Sequence, residues 1–88
     1  MSQRIHWDQR ARADLRAIGR QDRQLANRIV LAVETLAEHR NGDVRKLQGR
    51  SNEFRLRVGD WRVMFSFVDG GHVIVVSRVL NRRDAYRD

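Results

Sequence analysis

The sequence predicts an α+β fold in which an N-terminal strand and a helix hairpin pack on one face of a small, mainly antiparallel, twisted β-sheet. Apolar residues recur at helical spacing between residues 8 and 41. From residue 54 onward they alternate with polar residues, as in strands, and the period changes after Gly42. Because 88 residues suffice for one core only, we expect a single domain over residues 1–88.

The first elements are a short strand and a helix. Residues 3–7 predict the strand, with Ile5 and Trp7 on one side. Asp8 offers an N-cap for the first helix, and Gly19 is expected to end it. Its apolar face is predicted to comprise Trp7, Ala11, Leu15 and Ile18.

The second helix is predicted to begin near Asp22 and to run out by Asn41 and Gly42. Two helices in direct succession form a hairpin. The apolar stripe of this second helix comprises Leu25, Ile29, Ala32, Val33 and Leu36.

Three strands are predicted after a polar, turn-rich segment at residues 43–53. The first two, residues 54–58 and 61–68, alternate apolar with mostly polar residues around a turn at Gly59 and Asp60. The third, residues 72–80, is mostly apolar and β-branched, which is typical of a strand covered on both faces.

Composition narrows the functional classes. The formal net charge is +7, the pI is near 11.5, and Lys46 is the single lysine among 18 basic residues, so a polyanionic partner such as RNA is expected. The chain has no cysteine, and its three histidines are scattered, so we expect neither a metal nor a cofactor. The longest strictly apolar run, residues 73–76, is far shorter than a membrane span, and a cytoplasmic location without membrane association is expected.

The turn at Gly59 and Asp60 sets a testable register. If these two residues form the whole loop, Arg57 lies opposite Arg62 and the apolar residues of both strands share the other face. Arg55 then joins the two arginines on the face away from the helices. Such a cluster fits a phosphate backbone, and the alternative is a solvated face whose arginine stems cover apolar surface.

The C-terminal residues form a second basic group. Arg82 and Arg83 follow the last strand, and Tyr86 comes three residues later. The tyrosine is able to stack on an unpaired base or to take part in proton transfer. The alternative is a ring that packs on the sheet with its hydroxyl in water.

Three segments together resemble the RelE/ParE superfamily of toxins from type II toxin-antitoxin modules. They are Lys46-Leu47-x-Gly49, then Phe54-Arg-Leu-Arg-Val-Gly-Asp-Trp-Arg-Val-Met-Phe65, then Asn81-Arg-Arg-Asp-Ala-Tyr86. The resemblance covers nearly the whole chain, favours the RelE-like branch and implies a RelE-like microbial RNase-type fold. It implies cleavage of mRNA in the ribosomal A site for that branch, and inhibition of DNA gyrase for the ParE branch.

The resemblance also implies roles for individual residues. The catalytic positions it implies are Arg62, Arg82 and Tyr86, and the RNA-binding positions are Lys46, Arg55, Arg57 and Arg83. Two departures bear on the chemistry. Some ribosome-dependent relatives have lysines at the positions of Arg55 and Arg57, and many have histidine at the position of Asn81. Because arginine cannot give up its proton, Tyr86 becomes the leading candidate for the general base.

Three functions follow from these observations. The first is a toxin that cleaves mRNA on the ribosome by 2′-hydroxyl attack without metal. The second is a gyrase inhibitor that binds through the helix hairpin, and the third is a non-catalytic module that binds nucleic acid or a partner protein. For the toxin, the expected partners are mRNA in the ribosomal A site and a cognate antitoxin, in a toxin-antitoxin complex of higher order.

Overall fold

The computed structural model describes residues 2–49 and 52–85 and contains three helices and five strands within those ranges. In chain order they are β1 (Arg4–Trp7), α1 (Gln9–Gln21), α2 (Arg23–His39), β2 (Asp43–Lys46), β3 (Phe54–Val58), β4 (Trp61–Val68), β5 (Val73–Asn81) and α3 (Arg82–Ala85). No helix within the described ranges is long and apolar enough to cross a membrane.

The five strands form one mixed sheet in the order β1-β5-β4-β3-β2. Only the pairing of β1 with β5 is parallel, and the other three are antiparallel. The parallel pair arises because α1 and α2 and three strands of chain separate β1 from β5, which allows the chain to return in the same direction. The predicted α+β architecture is therefore confirmed.

The two long helices begin where the sequence predicts, but α1 ends later. Asp8 is the N-cap residue of α1, although its side chain makes no capping hydrogen bond. Gly19 lies inside α1 and does not end it, so that prediction is wrong. A Cβ placed on Gly19 would lie 3.5 Å from the Cβ of Ala26 in α2, so a small residue here lets the helices pack closely. Asp22 starts α2 by accepting a hydrogen bond from the Leu25 amide at 3.0 Å.

Residues 43–46 form the edge strand β2, where the sequence predicted only a polar, turn-rich segment. β2 pairs along its length with β3, from Asp43 opposite Arg57 to Lys46 opposite Phe54. A strand of four residues with one apolar side chain has too short a pattern to be recognised in the sequence. Its backbone pairs because β3 would otherwise present an open edge.

The core lies between the helix pair and one face of the sheet. Its side chains that are 0% exposed come from α1, α2, β4 and β5, and they are Ala11, Ile29, Val63, Ile74 and Val76. Phe54, Phe65 and Phe67 extend the core toward β2, with ring centroids 5.0 to 5.6 Å apart. Apolar burial of this kind contributes about 1.5 to 3 kcal/mol for each large side chain, and it orients β3 and β4 so that their polar residues face away from the helices.

The Asp14 carboxylate of α1 accepts a hydrogen bond from the backbone of β5 beyond the point where β1 ends. β1 pairs with β5 only as far as Val76, and beyond it the Val79 amide donates to Oδ2 of Asp14 at 2.9 Å. The Arg78 guanidinium donates to both oxygens of the same carboxylate, at 2.8 and 3.1 Å. These hydrogen bonds raise the pKa of Arg78 above its ordinary value. Asp14 therefore fastens α1 to β5, and we call this contact the Asp14–Arg78 link.

Candidate nucleic-acid interface

The hairpin of β3 and β4 has the predicted register. Val58 lies opposite Trp61, Arg57 opposite Arg62, and Arg55 opposite Met64. The intervening residues Leu56 and Val63 are buried in the core, at 2% and 0% exposure. Because side chains alternate between the faces of a strand, the three arginines share the face away from the helices.

The structure brings two further residues to this face from the unpredicted strand β2. Arg45 lies opposite Arg55, and Asp43 lies opposite Arg57. Together the five residues line an open cavity of about 340 Å³, which we call the arginine cavity: Asp43, Arg45, Arg55, Arg57 and Arg62. Four guanidinium groups and one carboxylate give its walls an excess of positive charge.

The arginines of the cavity form two opposed pairs. Arg45 faces Arg55 across one pair of strands, and Arg57 faces Arg62 across the next. Like charges directly opposite each other repel across a pair of strands. Arg55 and Arg57 are two residues apart, which separates the pairs by about 7 Å along the strands. Anions placed at this spacing relieve the repulsion in both pairs.

Arg62 has a structural contact as well as a place in the cavity. It is only 7% exposed, and its Nη1 donates to the carbonyl oxygens of Gly59 at 2.9 Å and Trp61 at 3.0 Å. Gly59 has a φ of 59°, a left-handed conformation that favours glycine in a tight hairpin turn. Arg62 therefore holds the turn of its own hairpin and is itself held in a defined position beside Arg57.

Three further predicted residues, Lys46, Arg82 and Arg83, are not among those that line the arginine cavity. Lys46 pairs with Phe54, whose ring contacts the core, so its strand position belongs to the helix-facing side of the sheet. Arg82 begins α3, and its backbone amide donates to the carbonyl of Asp60 at 2.7 Å. Its exposed guanidinium lies 3.9 Å from the Asp60 carboxylate. Arg83 is exposed and lies in the same short helix. Tyr86 lies outside the described residues.

Arg45 and Asp43 are the cavity residues that the sequence analysis missed. The available signal is the alternation Asp43-Val44-Arg45, in which one apolar residue is flanked by charges. That signal becomes informative only once residues 43–46 are known to pair with β3, because pairing places both charged side chains beside Arg55 and Arg57. Within residues 2–49 and 52–85, no three His, Asp or Glu side chains are grouped as they would be around a metal ion.

Comparison with known proteins places this geometry in a family. A model of the ParE toxin of the type II toxin-antitoxin system parDE matches residues 5–86. This chain belongs to that toxin family, within the RelE/ParE superfamily. No curated protein sequence matches it significantly. The predicted resemblance is therefore confirmed, and the chain is a type II toxin-antitoxin toxin.

Solved structures similar to this toxin have the same fold. The RelBE2 toxin-antitoxin complex of Mycobacterium tuberculosis contains a chain 20% identical, with 93% of each chain covered and a TM-score of 0.77. The RelB-RelE complex of Methanococcus jannaschii contains one 26% identical, with 92% and 94% covered and a TM-score of 0.72. The YoeB/ParE toxin of Agrobacterium tumefaciens is 14% identical, with 89% and 96% covered and a TM-score of 0.76. The predicted RelE-like fold is confirmed.

Proposed function

We propose that this toxin is a metal-independent endoribonuclease that cleaves mRNA in the ribosomal A site. The observation that carries the proposal is the arginine cavity, with its two opposed pairs of guanidinium groups on an open sheet face. A phosphodiester backbone supplies negative charge at regular intervals and neutralises such pairs. Guanidinium groups also bind phosphate oxygens with two parallel hydrogen bonds, which fixes the orientation of the phosphate.

In the proposed reaction, the ribose 2′-hydroxyl loses its proton to a base and its oxygen attacks the neighbouring phosphorus. The bond from phosphorus to the 5′-oxygen breaks and that oxygen takes up a proton from water, giving a 2′,3′-cyclic phosphate and a free 5′-hydroxyl. Negative charge accumulates on the phosphoryl oxygens in the transition state, and fixed cations beside them lower the barrier. Arg57 and Arg62 hold the reacting phosphate in this scheme. Arg45 and Arg55 hold the adjacent one, and Arg82 neutralises charge on the leaving side.

The reaction also needs a group that removes the 2′-hydroxyl proton. Arginine cannot do so, because its guanidinium group stays protonated in proteins. Tyr86 is the group that the sequence motif supplies. Asp43 is the group that the cavity supplies, since it lines the cavity together with the four arginines. A matched pair of variants, Tyr86→Phe and Asp43→Asn, separates the two candidates.

A gyrase inhibitor is the second candidate function. The family model that matches this chain is that of the ParE toxin, and this observation favours the alternative. Leu31, which is 61% exposed on α2, gives the helix hairpin an apolar contact point for a protein target. The arginine cavity has no role in that function, so cavity variants would keep their toxicity.

A non-catalytic binding module is the third candidate. The position at which many RelE-like relatives have histidine is here Asn81, and its Oδ1 accepts a hydrogen bond from the Arg83 amide at 3.2 Å. The asparagine thus supports the start of α3 and supplies no acid. Under this alternative the cavity binds RNA without cutting it.

We also propose that a cognate antitoxin is the protein partner, in a complex of higher order. Two of the similar structures described above are toxin-antitoxin complexes. With a formal net charge of +7, the toxin is complementary to an acidic partner segment.

The test is induced expression without an antitoxin, followed by mapping of mRNA 5′ ends. New ends inside translated frames are expected for the wild type, and fewer for Arg62→Lys, which loses the two-pronged contact with phosphate but keeps the charge. Lysine is preferred to alanine because the Arg62 guanidinium holds the hairpin turn. Arg4→Gln is the control, since Arg4 is exposed on β1. Growth arrest with intact mRNA and damaged DNA would instead identify gyrase as the target.

A further inference from the structure

Two rows of side chains run across the strands on the open face of the sheet, and each row passes from arginines to an apolar residue. The first row extends from β2 to β4 and comprises Arg45, Arg55 and Met64. The second extends from β3 to β5 and comprises Arg57, Arg62 and Leu80. Because residues opposite each other on neighbouring strands share a face, both rows lie on the side of the arginine cavity.

The two rows have the same composition. Each contains one opposed pair of guanidinium groups and, one strand further on, an apolar side chain. The backbone of each apolar residue therefore lies about 5 Å from that of the nearer arginine, which is the spacing of neighbouring strands. Beyond Met64 the first row ends at Arg78, whose charge is neutralised by Asp14. At its other end the second row begins at Asp43.

The two apolar residues of the rows are not part of the core. Met64 and Leu80 are half-buried, and neither belongs to the cluster between the helices and the sheet or packs against it. Their chain neighbours Val63 and Val79 are buried in that cluster. Alternation along a strand therefore turns Met64 and Leu80 to the opposite face. Packing against the helices does not account for apolar residues at these positions.

A β-bulge lies beside the apolar residue of the first row. The pairing of β4 with β5 shifts by one residue between Met64 and Phe65, which leaves Ser77 as an extra residue of β5. The Ser77 hydroxyl donates to the Met64 carbonyl at 3.2 Å. Bulges redirect side chains and are frequent beside functional sites. The backbone that carries the Met64 side chain is thereby fixed at the end of its row.

We propose that Met64 and Leu80 support two successive bases of the single-stranded RNA whose phosphates lie in the arginine cavity. A nucleotide has an anionic phosphate and, to one side of it, a flat base whose faces are π-surfaces. Each row offers the matching features in the same order, first a pair of cations and then an apolar side chain. The Met64 thioether suits such a ring, because contacts between sulfur and aromatic rings are favourable. Every base has a π-face, so the support is tolerant of base sequence.

The repeat of the rows favours a nucleic acid over a peptide. The rows are two residues apart, which is about 7 Å along the strands. An extended peptide turns one side chain toward a surface in each repeat of that length. It would therefore present either a carboxylate or an apolar group to each row. A nucleotide presents a phosphate and a base together, which accounts for both parts of a row.

The inference rests on the proposed function, because it takes RNA as the ligand of the arginine cavity. It adds the direction in which the bases lie, which is toward β5 from the phosphates. Contacts with phosphate weaken as the salt concentration rises, since they depend on charge. Contacts between a base and an apolar side chain carry no charge and lack that dependence. The two contributions to affinity are therefore separable by experiment.

The test compares the binding of two single strands by the purified toxin over a range of salt concentrations. One is a 2′-O-methyl uridine strand of about ten nucleotides, a length that one small single-strand-binding domain covers. The other is an abasic strand of the same length, in which tetrahydrofuran units carry the same phosphates without bases. Neither strand has a 2′-hydroxyl group, so binding is measured whether or not the toxin is a nuclease.

The variants separate the apolar residues from the arginines. The key variant is Met64→Thr with Leu80→Thr, which replaces both apolar side chains by polar ones that suit a strand. The control is Val68→Thr with Val73→Thr, an opposed pair on the same face of β4 and β5 outside both rows. Met64→Leu with Leu80→Met exchanges the two side chains and keeps the apolar surface. Arg57→Gln removes one phosphate contact.

We expect the key variant to bind the uridine strand about tenfold more weakly than the wild type, a loss in the range of a lost base-stacking contact. Its binding of the abasic strand depends on phosphates alone and should stay within about twofold of the wild type. Arg57→Gln should weaken the binding of both strands equally and lower the slope of log affinity against log salt by about 0.7. The control and the exchange of Met64 with Leu80 should bind both strands as the wild type does.

Three results would overturn the inference while leaving the proposed function in place. They are unchanged binding of the uridine strand by the key variant, an equal loss on both strands, and an equal loss in the control variant. An equal loss on both strands would show that the key variant is defective in folding or in phosphate binding. If Arg57→Gln bound both strands as the wild type does, the cavity would not hold RNA, and the proposed function would fail together with the inference.

Discussion

Arg78 and the arginines of the cavity belong to the same sheet but have opposite electrostatic surroundings. Arg78 of β5 donates two hydrogen bonds to one carboxylate, and Asp14 also receives the Val79 amide. Arg57 of β3 lies opposite another arginine on one side and opposite Asp43 on the other. The side chains of the link are partly buried, with Arg78 31% and Asp14 18% exposed, whereas Arg57 is exposed.

The difference separates arginines that stabilise the fold from arginines available to a ligand. A guanidinium with a matched carboxylate has its charge neutralised and its geometry fixed, so its removal weakens the folded state. A guanidinium facing another guanidinium adds repulsion to the folded state, and an anion removes that repulsion. Stability should therefore depend on Arg78, and activity on the arginines of the cavity.

The largest expected effect is on activity in the arginine cavity. Arg55→Gln combined with Arg57→Gln should lower the rate at which mRNA 5′ ends appear after induction by about 100-fold or more, because each loses a fixed charge beside the transition state. The free energy of unfolding should not fall. Unchanged cleavage in a folded double variant would remove the cavity from the proposed reaction.

The largest expected effect on stability comes from the Asp14–Arg78 link. Asp14→Ala should lower the free energy of unfolding by about 2 to 3 kcal/mol, measured by urea denaturation, because it leaves the Val79 amide and the Arg78 guanidinium without their acceptor. Asp8→Ala is the matched control, since the Asp8 side chain makes no capping hydrogen bond. A comparable loss in both variants would contradict a specific role for the link.

The stability contributed by the link should resist alkaline pH. A pKa raised on folding contributes stability that is complete below the ordinary pKa of the group and is lost only as pH rises through the raised value. For Arg78 both values lie well above the interval from neutral pH to about pH 10. The difference between wild type and Asp14→Ala should therefore stay constant from neutral pH to about pH 10, and a decline over that interval would show that another group controls the link.

A smaller effect is expected when lysine replaces Arg78 or Arg57. Arg78→Lys should lower the free energy of unfolding by about 1 kcal/mol, because an ammonium group cannot reproduce the two-pronged contact with Asp14. Arg57→Lys should change it by less than about 0.5 kcal/mol, the ordinary range for surface substitutions. Equal losses of unfolding free energy from the two substitutions would contradict different structural roles for Arg78 and Arg57.

The smallest expected effect is a gain. Arg57→Gln alone should raise the free energy of unfolding by about 0.2 to 1 kcal/mol at low salt, because it removes one member of an opposed pair. The gain should shrink at about 1 M salt, where charges are screened beyond about 3 Å. A loss of stability at low salt would mean that Arg57 is balanced by Asp43 across the strand pair.

The order of the elements other than β2 and α3 and the register of the central hairpin were predictable from the sequence. Both depend on local regularities, namely the 3.6-residue and two-residue periods and a two-residue turn around Gly59. The opposed pair of Arg57 and Arg62 follows directly from that turn. The family was predictable for the same reason, because its three motifs lie within continuous segments.

The true end of α1 was not predictable, because it depends on contacts between elements. Gly19 has the chemistry of a helix end, yet it lies within α1, where its small size allows close packing against Ala26. The position of Lys46 also depends on contacts between elements. The family resemblance implies RNA binding at this residue, and its pairing with Phe54 gives it a position on the side of the sheet away from the arginine cavity.

The basic character of the protein and the pairing of Arg57 with Arg62 across the central hairpin follow from local sequence alone. The tertiary structure alone decided that β2 joins the sheet, which brings Arg45 and Asp43 beside the predicted arginines. It also decided that Asp14 turns inward to Arg78, 64 residues away in the chain. The charge of a side chain follows from its residue type. Whether that charge is neutralised depends on which distant group the folded backbone brings within hydrogen-bonding distance.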